Sequence, residues 1–168
     1  MYWRDKLGYD FEGQFLQAIP SKLKRYLTWH NPRDPKLWKA TRGHGVDFKF
    51  QIAGLTVHID CSYQSGDYNY HRKWFLRDKL PRFNDSANAQ QFIVASRPES
   101  FSSIHHLTKQ YNITVHSIQS IIAYLLSTIP HRHNIETVYA LGHFKVKYKI
   151  ISEVEWGKGL IVGSKRDG

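Results

Sequence analysis

The chain has a single cysteine, Cys61, in 168 residues. An internal disulfide is therefore excluded, and a reducing, intracellular compartment is the expectation. No apolar run is long enough to span a bilayer. The longest, from Ile118 to Ile129, is interrupted by Gln119, Ser120 and Ser127, so no membrane segment is expected. Arg4, Asp5, Lys6 and Asp10 leave no signal-peptide core near the start. Neither G-x-x-x-x-G-K-[ST] nor G-x-G-x-x-G occurs, which disfavours a phosphate-cradling P-loop and a dinucleotide fold. Acidic residues are also scarce. Asp and Glu number 14 against 24 Lys and Arg, a net charge of +10 with a pI near 9.7.

What is present fits one globular domain, with 41% apolar and 14% aromatic residues. A cationic surplus with many rings favours a polyanionic partner, and nucleic acid comes first, although basic and aromatic residues do not distinguish RNA from DNA. The plainer reading is a basic, solvated surface that binds nothing.

Asp10 is placed to cap a helix over Phe11 to Ile19, with Phe11, Phe15 and Ile19 on one face. Ser21 can begin a second helix, Lys22 to Trp29, and the prolines at 32 and 35 mark a loop. After Tyr63 a turn leads into a helix from Tyr70 to Leu80, closed by Pro81. Gln91 to Ala95 reads as a buried strand. Ser100 or Ser102 opens a helix to Tyr111, Ile113 to Val115 is a short strand, and Ser117 caps a helix through Leu126. Towards the end, Phe144, Val146, Tyr148 and Ile150 alternate with lysines as a strand, and 153–162 suits a last hairpin. Strands alternating with helices argue for an α/β or α+β layered domain, taken here as α/β with a mixed central sheet flanked by helices over residues 1–130 and a C-terminal β extension over 131–168.

The stretch from Gly43 to Tyr63 organises the rest. It reads as two strands broken at Ala53-Gly54. Side chains alternate faces along a strand, so Val46, Phe48, Phe50 and Ile52 share one side and Asp47, Lys49 and Gln51 the other. In the second strand Val57, Ile59, Cys61 and Tyr63 oppose His58, Asp60, Ser62 and Gln64. If both strands bury their apolar sides, Asp47 and Asp60 share one polar surface. Paired carboxylates there suit a Mg²⁺ site or acid–base work.

A glutamate on the first helix, Gly43-x-x-x-Asp47 on a strand and Ile59-Asp60 on the next together resemble the PD-(D/E)XK nuclease superfamily. The layout is nearest to archaeal Holliday-junction resolvases and other restriction endonuclease-like proteins. The likeness covers roughly Asp10 to Leu126, with twelve residues between the aspartates. The resemblance implies a restriction endonuclease-like core, with Glu12, Asp47 and Asp60 holding Mg²⁺ or Mn²⁺ for phosphodiester hydrolysis. Two positions depart from the pattern. Val46 stands where a proline is usual, and Ser62 where the catalytic lysine belongs, two residues after the second acid. The lysine would offset charge on the phosphate at its transition state. Lys73 is the preferred substitute, with Lys49 second. Many relatives act as homodimers, and Ile118 to Leu126 is a segment through which two copies could pair.

Phosphate contacts are expected from Arg42, His44, Arg72, Lys73, Arg77 and Lys79. His105-His106 and His131-x-His133 have no cysteine at finger spacing, which disfavours zinc. His58 could touch phosphate or assist water, and Cys61 falls on the packing side. Trp74, Tyr68 and Tyr70 are either core or platforms for unpaired bases. The reading is a DNA-binding, metal-dependent endonuclease. Its rival is a catalytically inactive member of the same fold that binds nucleic acid or docks a partner, for which Ser62 speaks.

Overall fold

The computed structural model describes residues 3–30 and 45–130. The chain divides into two compact units, Met1–Thr128 and Ile129–Gly168, and the account below concerns the first. Arg42, His44 and the expected strands after residue 130 lie outside the described residues.

The first helix, α1, runs over Trp3–Ala18, longer than expected. Asp10 does not cap it. Asp10 lies within the helix and accepts a hydrogen bond from Lys6 Nζ one turn earlier, at 2.7 Å. Phe11, Phe15 and Ile19 are buried, as their four-residue spacing predicts. The second helix is shorter than expected. α2 is only Ser21–Lys24, and Leu27–His30 is extended as β1. Pairing with the neighbouring strand overrides the helical reading of Leu27, Thr28, Trp29 and His30.

β2 (Phe48–Ile52) and β3 (Leu55–Ser62) form the expected hairpin, closed by the pair Ile52 and Leu55. Its two-residue turn needs positive φ at both positions, and Ala53 (47°) and Gly54 (84°) supply it. Next comes α3 (Arg72–Trp74), a π turn over Phe75–Lys79 and a 3-10 turn over Leu80–Phe83. Pro81 lies inside that last turn rather than ending the segment at its own position. β4 is Gln90–Ala95, followed by a 3-10 stretch, Pro98–Ile104, and α4, His105–Gln110. β5 is Ile113–His116 and α5 is Ile118–Ser127, whose Ser117 hydroxyl accepts from the Ser120 amide at 3.1 Å.

The sheet order is β1-β2-β3-β4-β5. The first three strands pair antiparallel and the last three parallel. The mixed α/β sheet anticipated from the element order is therefore present, with helices on both faces. On one face Phe15 of α1 meets Phe48 edge-on at 4.8 Å, and Tyr124 of α5 packs on Phe92 at 5.2 Å. On the other, Phe75, Phe83, Phe101, Ile104 and Leu107 cover Ile93 and Ala95. The second face is thus closed rather than solvated, and His58, Asp60, Ser62 and Gln64 are all buried.

Ala53 is the one non-glycine residue of the hairpin turn in the left-handed region, where a Cβ is disfavoured and asparagine is better tolerated. Ala53→Asn should raise stability by about 0.5–1 kcal/mol in urea unfolding. A loss of stability would contradict the turn geometry.

Candidate functional site

Phe48 and Ile59 are partners across the hairpin. The next position along each strand then sets Asp47 opposite Asp60, and the Asp47 amide donates to Ile59 O at 3.0 Å. Both aspartates are buried, Asp60 completely at 0% exposure. Burial of two carboxylates side by side requires compensation, and the segment 72–83 provides it. Lys79 Nζ donates to Asp60 Oδ2 and, at 2.9 Å, to the Cys61 carbonyl. Arg82 spans the two acids: Nε donates to Asp60 Oδ1 at 2.6 Å and Nη2 to Asp47 Oδ1 at 2.8 Å. The Cys61 amide donates to Asp47 Oδ2 at 2.7 Å. All four aspartate oxygens thus accept an N–H. Glu12, on α1, is also buried, close enough for its charge to act on Asp47.

The two acids titrate as a pair. Burial pushes the Asp47 carboxyl well above the ordinary carboxylate range, and the charges of Asp60 and Glu12 push it further. Burial acts the same way on Asp60, but Lys79 and Arg82 outweigh it and hold that group below the ordinary range. Burial also works against charge on Arg82, yet the aspartates keep the guanidinium firmly protonated. Asp60 is therefore the member that stays ionised, and Asp47 carries the electrostatic strain.

The residues singled out in the sequence are distributed as follows. Glu12, Asp47 and Asp60 come together. Lys73 is exposed and Lys49 pairs across the hairpin with His58, so neither is the cation on Asp60. That cation is Lys79, expected to contact phosphate but instead turned inward at 7% exposure. Arg72, Lys73 and Arg77 lie exposed around one shallow depression with Leu76, and Arg77 also pairs with Asp78 at 2.6 Å. His58 is tied to Ser86 through Nδ1, 2.7 Å from Oγ. Burial, then the charge of Lys49, lowers its pKa. The Cys61 thiol is pushed up by burial, against a nucleophilic role.

Sequence reasoning missed Arg82 and misplaced Lys79. A signal was available: Phe75, Lys79 and Phe83 recur every four residues, and all three are buried. Ser62, standing where a lysine was expected, lines the same hollow as Lys79 and donates its hydroxyl to Tyr70 Oη at 2.8 Å. The cations that meet Asp60 come from the facing helical segment.

Mg²⁺ is commonly held by one or two carboxylates, with waters and substrate phosphate completing its shell. Among the described residues no three His, Cys, Asp or Glu side chains are gathered as a ready metal cage. Asp47 and Asp60 nonetheless fit as a two-carboxylate site, because the Arg82 guanidinium already marks a point where positive charge is shared between them. Its side chain is 16% exposed, against 3% and 0% for the two aspartates. No family model, no curated protein and no solved structure matches this chain.

The two aspartates have opposite signs in stability. Asp60, depressed in the folded state, stabilises above the ordinary carboxylate range, and that contribution is lost as pH falls through its lowered pKa. Asp47, raised in the folded state, favours folding while protonated and loses that contribution as pH rises through its raised pKa. At pH 7, Asp60→Asn should cost about 3–5 kcal/mol, because it leaves buried cations uncompensated. Asp47→Asn should cost less, about 1–3 kcal/mol, because its amide nitrogen would face one of the two N–H donors that the carboxylate accepts, and the cost should grow as the pH is lowered. Urea unfolding at several pH values reads both, and equal losses for the two variants would contradict the assignment.

Proposed function

We propose that this chain is a metal-dependent phosphodiesterase of the PD-(D/E)XK type acting on DNA, with a restriction endonuclease-like core. The observation that carries the reading is the placement of Asp47 opposite Asp60 with Lys79 and Arg82 on them. An enzyme that hydrolyses phosphodiesters needs carboxylate oxygens, an ammonium and a guanidinium within one small volume, because the transition state gathers negative charge on the phosphoryl oxygens. A bound Mg²⁺ or Mn²⁺ would lower the pKa of an attacking water and neutralise phosphate charge. Asp47 and Asp60 would hold it, with Glu12 alongside. Lys79 takes the role of the lysine absent at position 62, its ammonium fixed by Asp60 and the Cys61 carbonyl. Arg82 bridges the two carboxylates and offsets their mutual repulsion, and with a cation on the acids its guanidinium would be free to meet the phosphate. Arg72 and Lys73 grip the backbone from the outer face of the same segment, which gives salt-sensitive binding.

Two acids and two cations gathered on one buried face, with the Asp47 pKa pushed up by burial and by Asp60, support a functional role over a packing one. A second reading draws on Arg82 itself. A guanidinium bridging both acids is also how an inactive member of the fold would satisfy them permanently, and such a chain would bind nucleic acid without cutting it.

Plasmid nicking in Mg²⁺ or Mn²⁺ separates the two. Wild type should nick, and Lys73→Met should weaken binding without abolishing the reaction. Asp47→Asn, which is expected to keep the fold better than Asp60→Asn, should lose activity by roughly 10²-fold or more. Nicking that survives Asp47→Asn would refute the site. No nicking by wild type, with salt-sensitive binding that weakens in Arg72→Ala and Lys73→Ala, would favour the inactive reading.

A further inference from the structure

Beside the carboxylates a hollow of about 640 Å³ opens at the C-terminal end of β3. Its volume falls within the roughly 300–1,000 Å³ of small-ligand sites. Tyr63, Gln64, Tyr68, Tyr70, Trp74 and Lys79 are among the residues lining it. A larger hollow, about 950 Å³ between Phe101, His105, Ile113 and His116, contains none of the acids.

The rings in the smaller hollow divide into two kinds. Tyr70 and Trp74 are stacked on each other with centroids 4.0 Å apart and planes 15° from parallel, and Tyr70 Oη donates to the Tyr63 carbonyl at 3.0 Å. Those two form a fixed wall. Tyr68 and Tyr63 are 51% and 37% exposed, unusual for such large side chains. Tyr68 meets Tyr70 and His71 only edge-to-face, at 6.0 and 6.1 Å, and among the described residues no ring is stacked parallel on it.

Lys79 joins this hollow to the acids, since its ammonium contacts Asp60 and its side chain passes 5.8 Å from the Trp74 ring centre. Arg72, Lys73 and Arg77 lie on the outer side of the segment that carries Trp74. On the phosphodiesterase reading, a backbone held by those cations with one phosphate near the acids would bring a neighbouring base towards the hollow, which Lys79 links to Asp60. A base inside a duplex has both faces covered by its neighbours and cannot offer one to a tyrosine. An unpaired base can, and ring stacking is how proteins hold such bases without reading sequence.

We propose that the hollow receives an unpaired nucleobase of the strand whose phosphate lies at Asp47 and Asp60, so that the site selects single-stranded or branched DNA over continuous duplex. Tyr68 is the stacking residue. The choice of ligand class rests on the phosphodiesterase reading, whereas the pocket itself is testable without catalysis.

The test is fluorescence anisotropy in EDTA with the full chain and a short labelled single strand of DNA, beside the same sequence as a blunt duplex. Wild type should bind the single strand more tightly. Tyr68→Ala should weaken that binding roughly 5- to 100-fold, leave duplex binding unchanged and keep the wild-type melting curve, while Tyr68→Phe restores it. Equal affinity of wild type for both probes, or an unchanged single-strand affinity in Tyr68→Ala, would overturn the proposal. Because EDTA removes any cleavage, a chain that fails to nick plasmid but shows the Tyr68 dependence keeps the pocket and loses only the catalytic reading. A chain that nicks but binds single strands independently of Tyr68 loses only the pocket.

Discussion

Two carboxylates buried next to each other on adjacent strands repel one another and have lost most of their water, so they require cations, a proton, or both. That requirement shapes the described part of this protein. The hairpin register fixes Asp47 opposite Asp60. The segment between β3 and β4 must then bring Lys79 and Arg82 onto the sheet, and its change from α through π to 3-10 winding accompanies that delivery. A π turn shifts the residues that follow around the helix axis, and such turns recur at functional sites. The aromatic cluster beneath the same segment excludes water and strengthens each ion pair.

The constraint also connects stability with function. Asp60 is satisfied on both oxygens by cations and holds the fold. Asp47 shares Arg82 with Asp60 and has a raised pKa, so its charge is the less firmly held of the two. The proposed substrate contacts follow from the same segment: its inner face serves the acids and its outer face is basic. The hollow at the end of β3 shares Lys79 with the acids.

Much of this layout was legible in the sequence because it rests on local periodicity. The two-residue alternation from Val46 to Gln64 and the Ala53-Gly54 break were enough to pair the strands and set the two aspartates on one face. Phe11, Phe15 and Ile19 marked the inner side of the first helix, and Ser117 its cap function on the last. What failed was context. Leu27 to His30 reads as helix on its own, and only a neighbouring strand makes it extended. The solvated polar face expected for β3 is covered, because a sheet with parallel strands carries its crossover segments on its faces. Lys73 is preferred to Lys49 on the sequence for its place on the helix after the second strand, whereas burial follows the four-residue spacing of Phe75, Lys79 and Phe83. Arg82 follows a proline and was treated as lying beyond the helix, which concealed the residue that bridges both acids.

The most direct measurement is the anomalous scattering of crystals soaked in Mn²⁺ without substrate. The account predicts a peak between the Asp47 and Asp60 carboxylates with the Arg82 guanidinium displaced from them and Lys79 still on Asp60. Crystals saturated with Mn²⁺ that show no peak there, with Arg82 still bridging both aspartates, would contradict it.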